Sequence, residues 1–172
     1  MKLGSLKVRL YGDPCLRVKA TPVKQVGPVE RMLIAAMVET MQAHKGIGLA
    51  APQIGVTEQI FIVDTGKVSF IAINPRILKS EGRELMEEGC LSIPQLTVNI
   101  ARATTIEVEF TDENNQLVRA KLTGLPAKAF QHELDHLQGK LIVDYLAPSV
   151  RDKVVMQIKD GVYQGKDKHR DA

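Results

Sequence analysis

Residues 28–44, PVERMLIAAMVETMQAH, carry the clearest periodicity in the chain. Val29, Met32, Leu33, Ala36, Met37, Thr40 and Met41 recur at three- and four-residue spacing, the stripe of an amphipathic helix with one face on a core. Pro28 suits a first helical turn, Gly46 lies just past the end, and the methionines read as core packing. The period then shortens to two, with strands predicted over 59–64, 69–74, 96–100, 104–111 and 117–123. In the best of these Ile106, Val108 and Phe110 fall on one face, Thr105, Glu107 and Glu109 on the other, and DENNQ (112–116) makes a hairpin turn. Helical spacing returns at 125–138, opened by Pro126 and closed by Gly139. Leu125, Ala129, His132 and His136 share one side of that helix and Phe130, Leu134 and Leu137 another, with Lys128 toward solvent. A last helix over 148–160 turns Val150, Val154, Val155 and Ile158 inward. The order predicts an α+β domain: antiparallel sheets around a central helix, with an N-terminal and a C-terminal helix. The Gly- and Ala-rich GIGLAAPQIG (46–55) reads as a loop or short extended segment that something approaches closely.

Composition narrows the setting. A chain of 172 residues fits a single domain over 1–172, with a polar, frayed tail from about 161. A net charge of +3 makes no case for DNA binding without a clustered patch. No apolar run is long enough to span a membrane, and the N-terminal MKLGSLKVRLYGDP lacks the apolar stretch of a secretory signal. Two cysteines, Cys15 and Cys90, are too few for a disulfide framework, so a reducing cytoplasm is expected, with Cys15 a small buried hydrophobe.

The central helix holds the chemistry. QHELDHLQGK (131–140) contains His132, Glu133 and His136 in an H-E-x-x-H frame, and histidines four apart reach one ion from one helix face. An open catalytic site needs a third protein ligand. The metzincin continuation fails, because Gly139 is in place but Ile142 stands where the last ligand belongs. No glutamate follows Glu133, which leaves Asp144 and the tail residue His169 downstream. Upstream, Cys90 in EEGCLSIP is the best candidate, as a thiolate held by the cation. Glu133 is the natural general base for a water activated by the ion, and Gln53 can donate to a developing oxyanion, joined by a backbone N–H near Cys90. An H-E-x-x-H endopeptidase and a closed structural metal site are the competing readings. The missing downstream ligand weighs against the first, and the absence of an obvious fourth ligand against the second.

GIGLAAPQ (46–53), EGCLS (88–92) and QHELDHLQG (131–139) together resemble the peptide deformylase family, as do DPCLR (13–17) and INP (73–75). The resemblance runs from about residue 7 to 160. It implies metal ligands at Cys90, His132 and His136, Glu133 as acid/base, and Gln53 with the main-chain N–H of Leu91 as oxyanion donors. Gly46, Ile47 and Gly48 would hold the substrate backbone as an added strand. Ile47, Met86, Leu125, Ala129 and part of His132 would shape the first side-chain pocket. Glu88 and Gly89 adjoin the substrate, Glu88 as a structural acid beside the cysteine. The implied cofactor is one Fe2+ per chain, with Zn2+, Ni2+ or Co2+ as substitutes. The implied reaction removes the N-formyl group from formylmethionine at the start of new polypeptides. A monomer in a bacterial cytoplasm is the expected setting. The chain departs from the family pattern at Lys45, where an acid is frequent, and at Thr97, where some members are basic. Arg151, Lys153, Lys159, Lys166, Lys168 and Arg170 alternate with aspartates like a solvated face. Since the substrates emerge at the ribosome, that end is also a candidate for transient ribosome association.

Overall fold

A computed structural model describes residues 5–161. Its helices are α1 (Pro28–Ala43), α2 (Gly124–Leu137) and α3 (Pro148–Lys159). Its strands are β1 (Gly48–Ala50), β2 (Ile60–Asp64), β3 (Ser69–Glu81), β4 (Glu84–Cys90), β5 (Ile93–Arg102), β6 (Thr105–Thr111) and β7 (Leu117–Thr123). Five strands form one antiparallel sheet in the order β1-β2-β3-β6-β7, and β4 and β5 form a separate hairpin. The α+β architecture predicted from the periodicities is the one observed.

Two apolar layers seat α2 and α1 on the sheet. Phe130 and Leu137 of α2 pack on Phe61, Val63, Ile106, Val108 and Phe110, with the Phe61 and Phe130 rings edge-to-face at 5.0 Å. The alternation of Ile106, Val108 and Phe110 is the buried face of β6, as expected. Glu109 lies on the opposite face yet is only 5 % exposed, because Arg76 and Arg119 both close over its carboxylate. On the other side Ile34, Met37 and Met41 of α1 meet Leu49, Ile60 and Ile62. A third cluster, Leu16, Leu96, Val98, Ile100, Ile142 and Val143, joins the hairpin to the segment after α2.

Several expectations need correction. The buried arc of α1 is rotated toward Ile34, leaving Val29 and Met32 exposed, because the helix leans on β1 and β2 through its second half. In α3 no residue is fully buried: Val154 and Ile158 pack at the edge of the third cluster, and Val150 faces solvent. Lys128 is not free in solvent either, since its Nζ is paired with Glu84. Cys15 is half-buried rather than buried and donates its thiol to Pro52 O at 3.3 Å. Burial, then the neighbouring Asp13 carboxylate, pushes that thiol up to about 11. β3 and β5 run longer than their apolar cores. β4, not foreseen at all, has its inward positions occupied by Met86, Glu88 and Cys90. No helix among the described residues is long and apolar enough to cross a membrane.

Candidate active site

GIGLAAPQIG folds into β1 followed by a short 3-10 turn, Ala51–Ile54. β1 is an edge strand: Gly48, Leu49 and Ala50 pair with Val63, Ile62 and Phe61 of β2 on one side only. Beyond that edge opens a cleft of about 1350 Å³. Gly46, Ile47 and Gly48 line one wall, Met86, Glu88, Gly89, Cys90 and Leu91 another, and Leu125, Ala129, His132 and Glu133 the floor. Every residue that the sequence nominated for the site lines this cleft except His136, which is buried behind His132. A Cβ at Gly48 would come 2.2 Å from Glu133 Oε1, so a larger residue there would displace that carboxylate.

At the floor, ligand atoms of Cys90, His132 and His136 lie within 4.8 Å of one another. Cys90 Sγ is 3.4 Å from His136 Nε2, which is 3.2 Å from His132 Nε2. The Nδ1–H of His132 donates to Glu88 Oε2 at 3.0 Å, which turns its Nε2 lone pair into the cluster. Burial, reinforced by positive charge on His132 and Arg102, holds His136 well below the ordinary histidine range and therefore neutral. Burial opposes charge on His132, but hydrogen bonds with Cys90 and Glu88 outweigh it and hold its pKa above the ordinary histidine range. Two imidazoles and a sulfur closing on one point fit a divalent transition metal. Asp144 is not part of this group; it pairs with Arg17 at 2.5 and 3.1 Å and accepts from Leu141 N. His169 lies outside the described residues.

Gln53 is fixed by its neighbours. The N–H of Ala50 donates to its Oε1 at 2.9 Å, so its Nε2 points toward Ser92 Oγ (3.2 Å) and Cys90 Sγ (3.6 Å). Glu133 is 4 % exposed and its Oε2 has no hydrogen-bond partner among the described residues. Burial pushes its carboxyl up to about 7. Glu88 is also buried, but hydrogen bonds from Arg102 and His132 overcome the burial and bring it down to about 2.

The polypeptide deformylase family model matches residues 5–152. The chain belongs to the polypeptide deformylase family. A peptide deformylase of Halothermothrix orenii is 46% identical over 141 residues, spanning 81% of this chain and 92% of the relative. That of Thermotoga neapolitana is 42% identical over 146 residues, spanning 84% and 89%. The crystal structure of a peptide deformylase from Legionella pneumophila superposes with a TM-score of 0.87 at 35% identity, covering 91% of this chain and 95% of that one. The family is metal-dependent, and the Cys90–His132–His136 group is where this chain can hold the ion. Motif reading did not find Arg102, Asp135, Ser92 and Tyr145, which surround that group. Arg102 alone left a signal, because it extends the inward series Leu96, Val98, Ile100 by one more step of two.

Proposed function

We propose how the residues of the cleft divide the work of deformylation. The chain is a hydrolase that removes the N-formyl group from formylmethionine at the start of newly made polypeptides and releases formate. Our reading places one Fe2+ on Cys90, His132 and His136, replaceable by Zn2+, Ni2+ or Co2+. When bound, the ion supplies Lewis acidity and a lowered pKa for water at the site. Glu133 takes the proton of the attacking water and passes it to the departing amine. Gln53 Nε2–H and the Leu91 N–H donate to the formyl oxygen as it gains charge. The free edge at Gly46–Gly48 pairs with the substrate backbone opposite Gly89, and Ile47, Met86, Leu125 and Ala129 surround the methionine side chain. Glu88, which the resemblance sets beside the substrate, has both oxygens turned to Arg102 and His132 and acts by holding the ligand. The whole of 1–172 works as one catalytic domain, a monomer in the cytoplasm, with transient ribosome contact through its basic end.

The observation that carries this reading is the position of Glu133. A buried carboxylate with one unpaired oxygen lies between the ligand cluster and the free edge of β1. The test is formate release from formyl-Met-Ala-Ser by iron-loaded protein prepared without air, beside acetyl-Met-Ala-Ser and an unmodified peptide. Release from the formyl peptide alone is expected. Cleavage inside the unmodified peptide, or no formate from fully metallated protein, overturns the assignment.

A further inference from the structure

The ligands come from two separate elements: His132 and His136 stand on α2, and Cys90 ends β4. A coordination site tolerates little relative drift of its ligands, so the hairpin and the helix must be tied together. Arg102, the last residue of β5 and 5 % exposed, makes that tie. Its Nε and Nη2 donate to the two oxygens of Glu88 at 2.7 and 2.9 Å. Its Nη1 donates to Asp135 Oδ2 at 2.8 Å and to Tyr145 Oη at 2.9 Å. Tyr145 Oη in turn donates to the same Asp135 Oδ2 at 2.6 Å, and the tyrosine ring lies against the guanidinium at 4.9 Å and against Lys140 Nζ at 3.7 Å. The contacts therefore leave α2 at His132, cross β4 at Glu88 and β5 at Arg102, and return to α2 at Asp135, between the two histidines.

We propose that Asp135 and Tyr145 are positioning residues that act through Arg102 and Glu88 to set how slowly the metal leaves Cys90, His132 and His136. Without them Nη1 of a buried guanidinium loses both acceptors, a costly state that Arg102 escapes only by turning away from Glu88. Glu88 then no longer fixes the imidazole of His132, and loss of such an outer partner weakens metal binding about 10- to 100-fold. The inference rests on the metal site of the proposed function, not on its reaction.

The experiment follows Zn2+ release from the full-length protein to a chromophoric chelator, and the absorption bands of the Co2+ form. Asp135→Asn is expected to speed release about 10- to 100-fold. Tyr145→Phe, which keeps the ring and removes one hydroxyl, is expected to speed it by a smaller factor, and the double variant by less than the product because both act on one nitrogen. The cobalt bands shift in all three. Leu122→Ala, a core truncation within β7, lowers the thermal midpoint but leaves release and bands unchanged. Unchanged release in both single variants, or faster release in Leu122→Ala in proportion to its lost stability, overturns the proposal. If Asp135→Asn does not fold, Tyr145→Phe decides alone. A wild type that binds no zinc overturns the metal site itself.

Discussion

The hairpin side of the ligand cluster and its cleft side each present one buried glutamate, and the two are held in opposite ways. On the hairpin side Glu88 is 8 % exposed and its two oxygens receive Arg102 twice and His132 once. On the cleft side Glu133 is 4 % exposed and one oxygen is left unpaired. Both are buried, yet the first carboxyl sits at about 2 and the second at about 7. Donors overcome burial at Glu88, and burial without donors prevails at Glu133. A carboxylate meant to orient a ligand is surrounded by donors; one meant to carry a proton is left without them.

The comparison is broken most directly at the proton carrier. Glu133→Gln is expected to lower kcat by about 10²- to 10⁴-fold with metal content unchanged. Glu88→Gln instead costs metal affinity, about 10- to 100-fold. Formate release and metal analysis on the same preparations separate the two. Gly48→Ala disturbs Glu133 without touching its chemistry, because the new methyl would come 2.2 Å from its Oε1 and displace the side chain. A displacement of that kind is expected to lower kcat by about 10²-fold, again with full metal content.

Thermal unfolding of the metal-free protein sharpens the contrast. Glu88 has a folded-state pKa depressed from 4.5 to about 2, so its stabilisation is present above pH 4.5 and disappears as the pH falls toward 2. Glu133 is raised from 4.5 to about 7, so its ionisation weighs against the fold increasingly as pH rises through that window. At pH 8 Glu88→Gln should lower the melting midpoint of the metal-free protein and Glu133→Gln should raise it. Equal signs would refute the distinction. The smallest effect is expected at the mouth of the cleft, where Lys7 and Lys45 are exposed. Lys45→Glu should shift kcat/KM between formyl-Met-Ala-Asp and formyl-Met-Ala-Lys by about two- to fivefold toward the lysine peptide, and high salt should remove the shift.

What could be read beforehand follows the same division. The helix pair His132 and His136, the strands β6 and β7 and the short extended stretch before Gln53 obey simple periods, and their places were legible. Cys90 could be nominated only by elimination, since nothing local says that a cysteine after a glycine ends a strand beside a helix. β4 was invisible for a related reason: its inward face carries Met86, Glu88 and Cys90, two of them polar or reactive, so the period of two has no apolar signal. The rotation of α1 escaped because a helix stripe broad enough to include Thr40 and Ala36 does not say which edge meets the sheet. Arg102, Asp135 and Tyr145 meet only through the fold, from positions 33 and 10 residues apart along the chain.

The free edge of β1 has a consequence for breadth of use. Only Gly48 of β1 reaches the cleft, and together with Gly46 and Ile47 it offers mostly backbone. A guest chain read through main-chain groups is read almost regardless of spelling, and so short a template gives it little to cling to once its formyl group is gone. Such a strand suits a tool that must greet very many different proteins, treat each in the same way, and let go at once.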